Sequence, residues 1–270
     1  MDMTDLKGRG LVMLGCGKMG SAMLEGWLDG ALDPSDVWVI DPNPSEWLQG
    51  LRGLHLNAGA PDAPAMVLVA VKPQMMDEAL SGMAAMGGGG TVFLSVAAGV
   101  PIARYEAALG KGTPVVRAMP NTPAAIGRGI TALVANADGE GALDLAEALM
   151  GAVGQTVRLE DEAQMDAVTG VSGSGPAYVF HMIECLARAG EAEGLSPDLA
   201  MALAKATVGG AAHLAERSDK APDALRRDVT SPRGTTEAGL RVLMDEKTGL
   251  EDLVRRTVEA AANRSRELSR

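Results

Sequence analysis

Glycines at positions 15, 17 and 20, in Gly15-Cys16-Gly17-Lys18-Met19-Gly20, have the spacing with which a chain turns from a strand into a helix around phosphate groups. Gly15 permits the tight turn. Gly17 lets the backbone approach a pyrophosphate, and Gly20 lets helix and strand pack closely. The first N–H groups of the helix then face the anion. Asp41 follows twenty-one residues after Gly20, at the end of the next apolar run. A carboxylate there accepts hydrogen bonds from the adenosine ribose hydroxyls of a dinucleotide. Its charge opposes a 2′-phosphate and favours NADH, although Asp41 in "DPNP" also reads as a turn former.

A second concentration of hydroxyls, carboxylates and glycines lies far from the first, in "DVTSPRGTTEAGL" (228–240). Ser, Thr, Pro and Gly ahead of a helical pattern mark a helix start. Two more apolar runs end in groups suited to line a cofactor: Ala70-Val71-Lys72-Pro73, and the small residues Ala97, Ala98 and Gly99. Lys72 is equally readable as a solvated surface lysine. "RAMPNTPA" (117–124) fixes Asn121 and Thr122 between two prolines, a rigid polar loop that suits a site wall better than a plain turn.

Hydride transfer to a carbonyl ordinarily uses a proton donor. The histidines, His55, His181 and His213, sit in no motif for one. No His/Cys/Asp/Glu group has metal-ligand spacing, and "GSGPA" (173–177) supports no nucleophilic triad. An acceptor that is already activated fits better. An iminium is one, since its protonated nitrogen draws electrons from the adjacent carbon.

The elements that must position these residues change character along the chain. Up to about Glu160, apolar runs at 10–15, 37–41, 66–71, 91–99, 114–120 and 129–135 alternate with helical patterns, and 155–159 reads as a last edge strand. Such runs predict a doubly wound parallel sheet covered on both faces. Beyond it the patterns are helical only, over 178–195, 196–218, 236–247 and 250–270, with Ser196 as an N-cap. The expected organisation is α/β: a Rossmann-like domain over 1–160, then an all-α domain over 161–270. "GGGG" (87–90) reads as a flexible loop.

The bulk numbers narrow the partners. Lys and Arg number 24 against 35 Asp and Glu, a net charge of −11, which argues against nucleic acid and anionic membranes. Two lone cysteines, Cys16 and Cys185, suit a reducing compartment. The N-terminus has no apolar signal-peptide core, and no run approaches the roughly 18 apolar residues of a membrane span. A cytoplasmic location is expected.

Together "GCGKMG", "VAVKPQ" (69–74), "RAMPNTPA", "VTGVSGSGPAYVF" (168–180) and "DVTSPRGTTEAGL" resemble, in order and over nearly the whole chain, the pyrroline-5-carboxylate reductase family. The resemblance implies reduction of the cyclic imino acid 1-pyrroline-5-carboxylate to L-proline with NADPH or NADH. It also implies a helical domain that intertwines with a second copy, giving a dimer or a decamer of five dimers. It implies cofactor contacts from Leu14, Gly15, Cys16, Gly17, Lys18, Met19 and Gly20, from Asn57, from Ala70, Val71, Lys72 and Pro73, and from Ala97, Ala98 and Gly99. Asn57 would hold the adenosine phosphate, which partly offsets the NADH argument from Asp41 and leaves the choice open. On the substrate side it implies Glu162, Ser231, Gly234, Thr235 and Thr236, with amides around 234–236 on the carboxylate and the catalytic Thr236 hydroxyl on the ring nitrogen. Glu162 is otherwise an ordinary surface acid, and Thr236 a plain N-cap.

One residue departs from the family pattern: Arg233 stands where a glycine is usual after "SP". Arg does not readily adopt φ > 0, so an ordinary φ or a reshaped loop is expected, with the side chain either adding positive charge beside the substrate carboxylate or, the reading preferred, pointing to solvent. Two other readings carry their own signatures. A hydroxyacid dehydrogenase of similar plan would place a lysine in "SGSGPAYVFHMIEC", where there is none. A non-catalytic dinucleotide-binding protein would bind nucleotide without turning over any cyclic imine.

Overall fold

The computed structural model describes residues 3–268. These fall into two compact units: one built on residues up to Gly173 together with the chain's end from Ala261, the other on Ser174–Ala260.

The first unit is a sheet of eight strands among the described residues: β1 (Leu11–Leu14), β2 (Val37–Ile40), β3 (His55–Leu56), β4 (Met66–Val69), β5 (Val92–Ser95), β6 (Val115–Met119), β7 (Gly129–Ala135) and β8 (Gly154–Arg158). Their order is β3-β2-β1-β4-β5-β6-β7-β8. Helices α1 (Met3–Arg9), α2 (Lys18–Leu28), α3 (Glu46–Gly50), α4 (Met76–Ser81), α5 (Ile102–Leu109), α6 (Leu143–Gly151) and α7 (Met165–Val168) connect and cover it.

Strand side chains alternate between faces, and the central strands are apolar at every position, so both faces need cover. Leu11, Met13, Met66, Leu68 and Leu94 enter one core with Trp27 of α2 and Leu149 of α6. Val12, Leu14, Val67, Val69 and Phe93 enter the other with Met76, Leu80 and Tyr105. Buried Trp27 spends its indole N–H on Leu149 O at 2.8 Å, which removes the cost of an orphaned donor.

The sheet is doubly wound, as the apolar runs predict, but not wholly parallel: β7 runs antiparallel to β6, pairing Val116 with Ala135 and Met119 with Ala132. The link between them holds only a five-residue 3₁₀ turn, Thr122–Ile126, whereas a parallel crossover needs about a dozen residues or more. β8 lies at the edge, parallel to β7. The sequence patterns give no sign of β3, a two-residue strand, nor of α1. "GGGG" is no loose loop: Gly88 N–H donates to Thr113 Oγ1 at 2.9 Å, and a Cβ on Gly87 would strike Leu109 O.

Packing divides the chain at Gly173 because the segment after β8 belongs with the sheet. Met165 is buried in its core, and a π-helical stretch, Thr169–Gly173, follows α7. The second unit holds α8 (Gly175–Ala192), α9 (Pro197–Arg217), α10 (Pro222–Asp228), α11 (Thr235–Leu243) and most of α12 (Leu250–Leu268). α10 is short and was not legible as a helix. Ser196 stands at the N-cap of α9 but its side chain makes no capping bond. The α8–α9 core is small, with Ala187, Ala200 and Ala204 buried. Phe180, Leu186, Leu203, Leu214, Val242 and Leu253 are all exposed. The end of α12 returns to the first unit, where Ser265 Oγ donates to Asp166 Oδ1 at 2.5 Å.

Arg233 adopts φ 62, so the loop keeps the left-handed geometry suited to glycine rather than avoiding it. That conformation costs a non-glycine residue about 1–2 kcal/mol, against which glycine loses roughly 0.5–1 kcal/mol more chain entropy on folding. Arg233→Gly is therefore expected to stabilise the protein by about 0.5–1 kcal/mol in chemical denaturation. A loss of stability would contradict the strain.

Candidate active site

The turn from β1 into α2 has the geometry that its three glycines require. Gly15 has φ +82, donates its N–H to Ile40 O at 2.9 Å, and would bring a Cβ to 3.0 Å from Ala70 O. At Gly20 a Cβ would lie 3.1 Å from Gly15 O, so this glycine permits close packing of helix on strand. At Gly17 a Cβ would meet nothing within 4 Å. Gly17 is also the N-cap of α2, and no side chain caps the helix. The earliest helical bond among the described residues runs from Ser21 N–H to Gly17 O at 2.8 Å. The amides of Lys18, Met19 and Gly20 thus lack an intrahelical acceptor, and the turn borders open space at Gly17.

Cys16 is buried inside the turn, and burial, aided by the charge of Asp41, pushes its thiol up to about 12. It fills space as a neutral thiol and is no nucleophile at neutral pH.

Asp41, 9% exposed, follows β2. Its Oδ2 accepts from Cys16 N–H at 2.7 Å and its Oδ1 from Asn43 N–H at 2.8 Å. Its main chain is gripped by Asn57, whose Oδ1 accepts from Asp41 N–H and whose Nδ2 donates to Asp41 O, both at 2.9 Å. Asn57 holds φ 51, a left-handed conformation that Asn tolerates better than most residues. So Asp41 and Asn57 both act as braces of the glycine turn, a role the spacing alone did not disclose.

Beside this turn lies an apolar cleft lined by Leu14, Ile40, Pro42, Asn57, Val71, Ala79 and Met83. Ala70 N–H donates to Leu14 O at 2.9 Å, which sets the end of β4 against the glycine turn. Lys72 is exposed, and Pro73 opens a 3₁₀ turn. Ala97 is buried. Gly99 has φ +73 and would place a Cβ 2.8 Å from that of Leu268, so the end of α12 abuts this loop.

Glu162 is not a free surface acid. Its Oε1 accepts from Arg117 Nη1 at 2.5 Å and from Ile102 N–H, at the start of α5, at 2.8 Å. Arg117 is 6% exposed. A buried guanidinium without its carboxylate would be costly, so the pair locks Glu162 against β6. Beneath it, the buried hydroxyls of Ser95 and Tyr105 bond each other, and burial pushes the Tyr105 phenol up to about 12. Sequence reasoning passed over Arg117, although a lone Arg inside "PVVRAMP" is the signal that could have found it. Asn121 serves packing as well: its Oδ1 accepts from Ile130 N–H at 3.0 Å and its Nδ2 donates to Ser172 O at 3.2 Å.

In the second unit, Ser231, Gly234, Thr235 and Thr236 gather at the start of α11. Gly234 is its N-cap, with no side-chain cap. Gly234 N–H is spent on Ser231 O at 3.0 Å, and a Cβ there would lie 2.4 Å from Ser231 Oγ. Arg233 N–H donates to Glu237 Oε2 at 2.5 Å. That bond, then Arg241, holds the Glu237 carboxyl below its ordinary range. Helical bonding resumes at Ala238 N–H on Gly234 O, 3.2 Å. The amides of Thr235, Thr236 and Glu237 are therefore unclaimed within the helix. The Thr236 side chain is exposed and, among the described residues, makes no hydrogen bond. Neither Thr235 nor Ser231 supplies the cap. Among the described residues no group of His, Cys, Asp and Glu could hold a metal ion, and no helix is long and apolar enough to cross a membrane.

Comparison with known proteins agrees with both halves. A family model for pyrroline-5-carboxylate reductase dimerisation matches residues 162–268, and one for NADP oxidoreductase, coenzyme F420-dependent, matches residues 11–99. The pyrroline-5-carboxylate reductases of Pseudomonas aeruginosa and Pisum sativum are each 38% identical to this chain over 265 residues, covering 96% of it and 96% of their own length. That of Synechocystis is 39% identical over 270 residues, covering 96% of this chain and 98% of its own. Among solved structures, the Coxiella burnetii pyrroline-5-carboxylate reductase superposes with a TM-score of 0.89 at 32% identity, over 97% of this chain and 99% of that one. The Plasmodium falciparum enzyme, solved with NADP bound, gives 0.83 at 26% identity, over 97% and 98%. With likeness of this extent across both units, the chain belongs to the pyrroline-5-carboxylate reductase family.

Proposed function

We propose that the protein reduces 1-pyrroline-5-carboxylate to L-proline with NADH or NADPH, and that the start of α11 is its substrate site. The observation that carries this reading is the uncapped N-terminus at Gly234, with unclaimed amides at Thr235 and Thr236 beside a free Thr236 hydroxyl. Amides at a helix start suit a carboxylate. The Thr236 hydroxyl then accepts a hydrogen bond from the protonated ring nitrogen. Ser231 and Gly234 shape the turn that presents these groups.

The dinucleotide fits the first unit on three counts: open space at Gly17, unclaimed amides at the start of α2, and the apolar cleft for an adenine. Leu14 to Gly20, Asp41, Asn57, Ala70 to Pro73 and Ala97 to Gly99 are the residues we assign to it. When bound it supplies a hydride to the carbon of the C=N bond. The protonated nitrogen takes up the electron pair of that bond and keeps its proton, so the reaction needs no separate acid. Glu162, held by Arg117 with its Oε2 unpaired, is assigned to the polar end of the ring.

We assign residues 1–160 to cofactor binding and 161–270 to substrate binding and self-association, in a cytoplasmic enzyme. The exposed Phe180, Leu186, Leu203, Leu214, Val242 and Leu253 supply the apolar surface that a second copy would cover. The expected assembly is a dimer, or five dimers, which light scattering distinguishes.

Two substitutions test the assignments separately. Thr236→Ala is expected to lower kcat at least about ten-fold, roughly 1.4 kcal/mol in the transition state, with nucleotide affinity kept. Wild-type turnover in that variant would remove Thr236 from the mechanism. Gly17→Ala introduces a methyl into open space, so the fold is retained while nucleotide affinity falls about ten-fold or more. Unchanged nucleotide affinity, measured calorimetrically, would contradict the placement of the pyrophosphate.

A further inference from the structure

We infer that this protein selects NADH against NADPH, and that the Asp41 carboxylate is the discriminating group. The inference rests on the dinucleotide reading of the Gly15–Gly20 turn and goes beyond it, because that turn alone accepts either nucleotide.

The two cofactors differ only at the adenosine ribose 2′ position. NADH carries a hydroxyl there, a donor and an acceptor. NADPH carries a phosphate with about −1.5 to −2 charge and three strong acceptor oxygens. In a βαβ unit of this kind the end of the second strand faces that position, and here it is Asp41, directly after β2.

Asp41 is not a mobile surface acid that could swing away from a phosphate. Its carboxylate oxygens are held by Cys16 N–H and Asn43 N–H, and both polar atoms of its main chain by Asn57. It is 9% exposed, so solvent screens it poorly. Each carboxylate oxygen has more than one lone pair, so after accepting one amide bond each can still receive a ribose hydroxyl. Neither can donate to a phosphate. The contact with NADPH would set acceptor against acceptor and like charge against like charge.

No ion pair offsets that charge among the described residues. Asp41 forms no ion pair among the described residues, with Lys18, Lys72 or any other cation. The segment that follows, Pro42 to Leu51, contains no Lys or Arg and adds another carboxylate, Glu46. Asn57 spends one of its two Nδ2 hydrogens on Asp41 O, which leaves a phosphate one neutral donor that does not cancel the carboxylate charge. The NADP bound in the Plasmodium falciparum structure is a property of that protein, whereas the selectivity argued here belongs to this chain's own residues.

The test is binding, not turnover. Calorimetric titration of the full-length protein with NADH and with NADPH, substrate absent, should give a Kd for NADPH at least about ten-fold the larger. Asp41→Ser should bring the two values within about three-fold or invert them. Because Asp41 braces the glycine turn, that variant could bind both nucleotides poorly. Asp41→Asn therefore accompanies it: it removes the charge, keeps an oxygen for Cys16 N–H, and should also shrink the ratio while its melting temperature stays near wild type. Equal affinities in the wild type would overturn the inference, as would a ratio unchanged in both variants. Failure of the wild type to bind either nucleotide would instead overturn the dinucleotide site and the inference with it.

Discussion

Both halves of the proposed chemistry depend on one constraint: a helix must begin with amides that the helix itself cannot satisfy. Most helix starts relieve this with a Ser, Thr, Asp or Asn side chain, worth about 1 kcal/mol. Here α2 begins on Gly17 and α11 on Gly234, and neither is capped by a side chain; α5, α9 and α10 also lack a side-chain cap, but they carry a proline at the N-cap or first helical position, whereas these two open on glycine. The amides are left for an anion. At α2 the fitting anion is a pyrophosphate, and at α11 a carboxylate. Much of the surrounding structure keeps these two starts open and rigid. Gly15 turns the chain under Ala70 O, and Ser231 packs so closely on Gly234 that no Cβ fits between them.

The backbone strain of the molecule falls in the same places. Among the described residues only two non-glycine side chains take positive φ, Asn57 and Arg233. Asn57 braces Asp41 beside the first helix start, and Arg233 precedes the second by one residue and lends its N–H to Glu237. Strain of about 1–3 kcal/mol survives where the surroundings over-determine the backbone, and it collects at sites. A carboxylate at Glu237, so near a start meant for an anion, is kept from competing. Its oxygens are engaged by Arg233 N–H and by Arg241 at 3.3 Å.

The fold was largely legible because its determinants are local. Continuous apolar runs such as "MVLVAV" can only be strands buried on both faces, and their spacing left room for one helix each. What was not legible depends on distance in space. The reversal of β7 follows from a connection too short to cross over, which the apolar pattern of 129–135 does not encode. β3 exists only because His55 and Leu56 lie alongside Trp38 and Val39. The glycine fingerprint gave the right geometry at Gly15 and Gly20, since each role is a steric demand on a single residue, while Gly17 borders open space. Glu162 was harder. In sequence it is one acid among several in "EDEAQ", and only the buried Arg117, forty-five residues earlier, distinguishes it. Arg233 shows the reverse case: the family glycine pointed to positive φ, the residue type argued against it, and the loop kept its geometry.

The central claim is that α11 holds the substrate carboxylate on its first amides. A crystal structure of the enzyme with L-proline tests it most directly. The account predicts proline carboxylate oxygens within hydrogen-bond distance of the amides of Thr235 and Thr236, and the Thr236 hydroxyl against the ring nitrogen. A carboxylate bound elsewhere, with those amides facing water, would contradict it.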